Sequence, residues 1–134
     1  MQRGFPTNRL VMLLPAVALL VAGCLMEEVT YGYTVVNYSS NTYIVRVTFQ
    51  DGVVAAISSA PGSRTGQDRR PSPTVRAVVY EGDCSHEVAD LHANNGISYI
   101  VIDKSGNVTA PAMMSNFDVT AVPYQELPVP SLCP

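Results

Sequence analysis

Thr42-Tyr43-Ile44-Val45-Arg46-Val47-Thr48-Phe49, followed closely by Asp51-Gly52, is the stretch on which the fold turns. Tyr43, Val45, Val47 and Phe49 fall on one face, and Thr42, Arg46 and Thr48 on the other. Side chains alternate across a strand, so this period of two predicts a half-buried β-strand. Asp51-Gly52 supplies the residues that a tight hairpin demands at positive φ. Val53–Ile57 then reads as the returning strand.

The same logic extends in both directions. Tyr31-Gly32-Tyr33-Thr34-Val35-Val36-Asn37 alternates and is rich in β-formers, and Ser39-Ser40-Asn41 turns the chain. Residues 58–73 change character. Pro61, Gly62, Gly66, Pro71 and Pro73 punctuate them, and Arg64, Arg69 and Arg70 sit among them. They read as a solvated loop, longer than most internal connections and open to trypsin at residues 62–72. Thr74–Tyr80 is the next strong strand and Gly82-Asp83 a turn. Cys84–Leu91 reads as an edge strand or a helical turn. Asn94-Asn95-Gly96 turns again, Ile97–Ile102 is a strand, and Asp103-Lys104-Ser105-Gly106 leads into Asn107–Ala110. A proline-rich tail follows from Pro111, with Phe117–Val122 as one last strand. No stretch carries a sustained helical period. The pattern predicts six or seven short strands in an all-β fold, an antiparallel immunoglobulin-like β-sandwich, with a small β-barrel as the alternative. The chain has no tryptophan, so the antibody-type core signature is absent. Tyr31 and Tyr33 fit either an exposed binding face or a core with wet hydroxyls.

Residues 1–23 stand apart. Arg3 and Arg9 form a positive head, Leu10–Ala22 is apolar and uncharged, and Val21-Ala22-Gly23-Cys24 ends the segment. The layout is that of a secretory signal. The apolar run is short against the roughly 20 residues of a spanning helix, and Pro15 interrupts it. Val21-Ala22-Gly23-Cys24 resembles the lipobox of bacterial lipoproteins, although that family most often has leucine where Val21 stands. The resemblance implies that Cys24 is diacylated on sulfur and becomes the first residue of the mature chain. It also implies retention at the outer membrane of a two-membrane cell, because Leu25 is not the aspartate that holds such proteins at the inner one. In a one-membrane cell it implies the outer face of the plasma membrane. The expected organisation is a signal at 1–23, a tether at 24–30 and one β-sandwich domain at 31–134.

The chain carries eight basic and eleven acidic residues, for a net charge of −3. Arg3 and Arg9 leave with the signal and every acidic residue stays, so the mature charge is −5. A nucleic-acid partner would need a basic footprint, and a polybasic grip on lipid is equally excluded. The expected partners are the membrane, through the lipid on Cys24, and a protein of the envelope.

Of three cysteines, Cys24 takes the lipid. Cys84 and Cys133 remain as an even pair in an oxidising compartment. Their loop of roughly 50 residues would contribute about 4 kcal/mol as a disulfide; two unpaired thiols are the alternative.

Asp83, Cys84, His86, Glu87, Asp90 and His92 crowd together. On a regular strand Cys84, His86, Asp90 and His92 share one face, and thiolate, imidazole and carboxylate are all metal ligands. The spacing matches no zinc motif, and oxidation of Cys84 would remove its thiolate. Solvated polar residues on an edge strand are the simpler reading. Cys84 with His86 makes a poor nucleophile pair, since catalytic bases normally come from elsewhere in the sequence. Gly62-Ser63-Arg64-Thr65-Gly66 lacks the lysine and the strand–helix context of a phosphate loop. Asn37-Tyr38-Ser39 and Asn107-Val108-Thr109 match a glycosylation acceptor but read better as turn asparagines. Arg64, Arg69, Arg70 and Arg76 concentrate basic charge in an acidic chain, which fits an anion-binding loop or a solvated one. The function expected is a non-catalytic binding or structural role at the cell envelope with no cofactor. The alternative is a metal- or small-ligand-binding lipoprotein using residues 83–92.

Overall fold

The computed structural model describes residues 29–133. Residues 1–23, read above as a signal, Cys24 and most of the expected 24–30 tether lie outside the described residues.

Among the described residues nine strands form two open sheets packed face to face, a β-sandwich and not a closed barrel. They are β1 (Tyr31–Asn37), β2 (Tyr43–Phe49), β3 (Val54–Ser59), β4 (Ser63–Arg70), β5 (Thr74–Glu81), β6 (Glu87–His92), β7 (Tyr99–Ile102), β8 (Val108–Thr109) and β9 (Thr120–Ala121). The first sheet has the order β8-β7-β1-β4-β9, the second β3-β2-β5-β6. Most neighbours are antiparallel, as the hairpin signals require. Two pairs, β1–β7 and β4–β9, run parallel because their strands are joined through the other layer or the tail.

The alternation in β2 does what period two demands. Tyr43, Val45, Val47 and Phe49 are buried at 2% exposure or less, and they meet Ala55, Ile57, Ala77 and Val79 of their own sheet. Tyr33, Val35, Ile100 and Ile102 close the same core from the opposite sheet. At the Asp51-Gly52 hairpin, Gly52 takes φ +89° and the Asp51 carboxylate accepts the Val53 N–H at 3.0 Å.

The segment 58–73 is not a loop. Its middle is β4, paired to β1 from Asn37↔Ser63 to Tyr31↔Arg70 and to β9 on its other side. Ser63 and Thr65 face inward and are buried. They carry no apolar signal, which is why the strand hides in the sequence. An extra residue around Asp68 and Arg69, opposite Gly32, bulges the strand between Tyr31 and Tyr33. A bulge shifts the alternation by one, so Arg70 turns back over the Phe49 ring, 4.5 Å from its centroid.

The tail closes one side of the sandwich. Val122 N–H donates to the Arg64 carbonyl at 2.8 Å on the β4 edge, and Leu127 N–H to the Ala56 carbonyl at 2.7 Å on the β3 edge. Between them Tyr124 and Glu126 lie across the opening. The Tyr33 and Tyr124 hydroxyls are 2.8 Å apart, Tyr124 donates to Glu126 at 2.9 Å, and Glu126 pairs with Arg70. Burial raises the pKa of both tyrosine hydroxyls above the ordinary phenol value, so they stay protonated. A 3-10 turn at Val129–Ser131 then leads to Cys133, which is disulfide-bonded to Cys84 with Cα atoms 5.2 Å apart. Cys133 is buried against Val78 and Tyr80 on the outer face of the second sheet, with Ile44 packed beside them. The strap therefore covers the β3 edge and that outer face. β5 itself is internal, between β2 and β6.

Candidate functional site: a groove over the five-stranded sheet

The cluster at 83–92 does not converge. Cys84 is spent in the disulfide. Tyr80 pairs with Glu87 and Val79 with Ala89, which leaves Val88 as an extra residue. That bulge breaks the alternation that would have put Cys84 and His86 on one face with Asp90 and His92. Asp90 accepts two hydrogen bonds from Arg76, at 3.0 and 2.9 Å. The Arg76 hydrogen bond holds its carboxyl below the ordinary aspartate value. His92 stands 3.1 Å from the same carboxylate, while His86 stands 3.9 Å from Glu81. Asp83 accepts from Ser85, which lowers its own pKa. Among the described residues no group of three or more His, Cys, Asp or Glu side chains is placed to hold a metal ion.

The basic run is likewise dispersed. Arg76 faces out from the second sheet with Asp90. Arg70 points inward over Phe49 with Glu126. Arg69 is exposed at the bulge. Arg64 alone of the four lies on the outer face of the first sheet, its guanidinium carbon 4.8 Å from the centre of the Phe117 ring.

A groove of about 620 Å³ opens beside Arg64. Its floor follows from strand parity. Residues 32, 34 and 36 of β1 and 64, 66 and 68 of β4 share the outer face, and Thr34 sits in register between Gly66 and Tyr99. Gly32 and Gly66 line the groove without side chains, and the neighbouring backbone closes up against both. A Cβ on Gly66 would stand 2.5 Å from the Tyr33 carbonyl oxygen and 2.7 Å from Thr34 Oγ1. Tyr99 forms one wall, its ring 6.1 Å from Phe117. Arg64 and Asp68 stand at opposite ends, four residues apart on one strand, which is about 13 Å.

The Arg64 guanidinium makes no ion pair within the described residues, and its buried Nε has no hydrogen-bond acceptor. Such an orphan costs about 1–3 kcal/mol. The arrangement can present a restrained cation beside an aromatic wall and a polar trough. Arg64 stood out in the sequence as part of the basic run. The juxtaposition of Tyr99, Phe117, Gly32 and Gly66 could not be read there, because it depends on β4 being a strand beside β1. Tyr33, by contrast, is core at 1% exposure while Tyr31 stays at the surface. No protein-family model, curated protein or solved structure matches the chain.

Proposed function

We propose that this chain is a lipid-anchored extracytoplasmic β-sandwich with a non-catalytic binding role at the cell envelope. The Cys84–Cys133 disulfide carries the reading. Such bonds form and persist in oxidising compartments. The pairing also leaves Cys24 as the one cysteine of three outside it, directly after an apolar segment of signal type. A lipid on Cys24 then supplies the membrane attachment that a chain of net charge −3 does not obtain from basic residues. The outer membrane is the destination in a two-membrane cell, and the outer face of the plasma membrane in a one-membrane cell. The groove over the five-stranded sheet is the surface that faces a ligand.

Membrane fractionation with Cys24→Ala tests the anchor. The parent is expected in the membrane fraction, with mass spectrometry placing Cys24 at an acylated N-terminus. The variant is expected in the soluble fraction or as an uncleaved precursor. Identical fractionation and migration of the two would sink the anchor.

A further inference from the structure

The geometry points to the groove over Gly32 and Gly66 as a binding site for an acidic saccharide, its carboxylate on Arg64 and a sugar ring against Tyr99. This deepens the binding role proposed above and rests on it.

Arg64 is set up to receive an anion. Arg70 and Arg76 each face an acid of this chain, Glu126 and Asp90. Arg64 has no such partner within the described residues, although the protein is acidic overall. The Phe117 ring restrains its guanidinium, so little side-chain freedom remains to be lost on binding. A planar carboxylate matches the guanidinium fork at two points.

The remainder of the groove selects the body of the ligand. Its volume of about 620 Å³ falls within the roughly 300–1,000 Å³ of small-ligand sites. Gly32 and Gly66 line the trough with backbone alone. Tyr99 offers an aromatic face, electron-rich at its centre, to the C–H face of a pyranose ring. Thr34 and Asp68 supply hydroxyl and carboxylate groups for sugar hydroxyls. Asp68 lies about 13 Å along the strand from Arg64, far enough not to oppose the bound carboxylate. It also disfavours a second acid at its own end. The ligand that fits has one acidic residue at the Arg64 end and a neutral sugar toward Asp68.

Calorimetric titration of the full chain in detergent with cellobiouronic acid, cellobiose and inorganic phosphate tests this. The acidic disaccharide is expected to bind saturably, and cellobiose at least tenfold more weakly. Arg64→Met keeps the aliphatic stem against Phe117 and is expected to weaken the acid by roughly 10- to 100-fold. Should that variant fail to fold, amide shifts in the unaltered protein serve instead, with the largest changes expected at Gly32 and Gly66. Equal affinity for cellobiose overturns the role of Arg64. Phosphate binding as tightly as the disaccharide overturns the saccharide. No saturable binding, or shifts elsewhere, overturns the site. Membrane fractionation of Arg64→Met should match the parent, so failure of the groove and failure of the anchor are read separately.

Discussion

Asn37 closes the end of β1 from the inside. It is fully buried, and its amide is satisfied on every side. Nδ2 donates to the Asn41 carbonyl at 2.8 Å and the Ser59 carbonyl at 3.2 Å. Oδ1 accepts from the Ser39 N–H at 2.9 Å and the Ser39 hydroxyl at 2.7 Å. Asn37→Ala strips partners from groups in β3 and the turn after β1, and should cost about 2–4 kcal/mol in urea unfolding; a loss under about 0.5 kcal/mol would show that water replaces the amide. The sequence Asn37-Tyr38-Ser39 marked the turn but not the burial, which needs β3 alongside. Asp90 makes a second case. The Arg76 hydrogen bond depresses its folded pKa. Its stabilisation is therefore complete above the unfolded value of about 3.9 and is lost as pH falls through the lower folded value. Both partners are solvent-exposed, so the effect is small. Melting Asp90→Asn and the parent at pH 7 and pH 3 should show a smaller acid-induced drop in the variant. A larger drop would reverse the assigned sign.

At the scale of elements, β4 decides the layout. Its inward residues are Ser63, Thr65 and Gln67, and its outward ones Arg64, Gly66 and Asp68. Nothing in that composition announces a strand, because β4 is held by backbone pairing to β1 and β9 and not by its own apolar face. Gly66 lets the two backbones approach, since a Cβ there would overlap the Tyr33 carbonyl oxygen. A paired strand does not enter a protease active site, so the bond after Arg64 should resist trypsin under conditions that cut the urea-unfolded chain. Any early cut in this region is expected after Arg69, at the exposed bulge. Early cleavage at Arg64 in the folded protein would return the segment to a loop. The β2 hairpin lies at the other extreme. Its apolar face and its Asp51-Gly52 turn are both local signals, and both are realised in place.

For the whole molecule, the last stretch of chain does what no strand does. It crosses from β4 to β3, joins Tyr33 to Tyr124, and runs over Ile44, Val78 and Tyr80 to the disulfide. Cys84 and Cys133 are 49 residues apart. Replacing both with serine should destabilise the domain by about 4 kcal/mol and lower its melting temperature by roughly 15 °C or more. Binding of a hydrophobic dye should rise at the same time, because the strap shields Val78 and Tyr80 on the outer face. Unchanged melting would mean that the tail's hydrogen bonds hold the strap without the bond.

The all-β class, the β2 core face, the hairpin turns and the Cys84–Cys133 pairing could be read from the chain alone. Each rests on a local period, a turn residue or an even count of cysteines. The strand at β4, the parallel pairs, the dispersal of the four arginines and the groove over Gly32 and Gly66 could not. They depend on which strands become neighbours and on bulges that shift alternation by one residue. Those features arise from pairing between distant segments, and a polar strand enters such pairing through its backbone, which every residue shares.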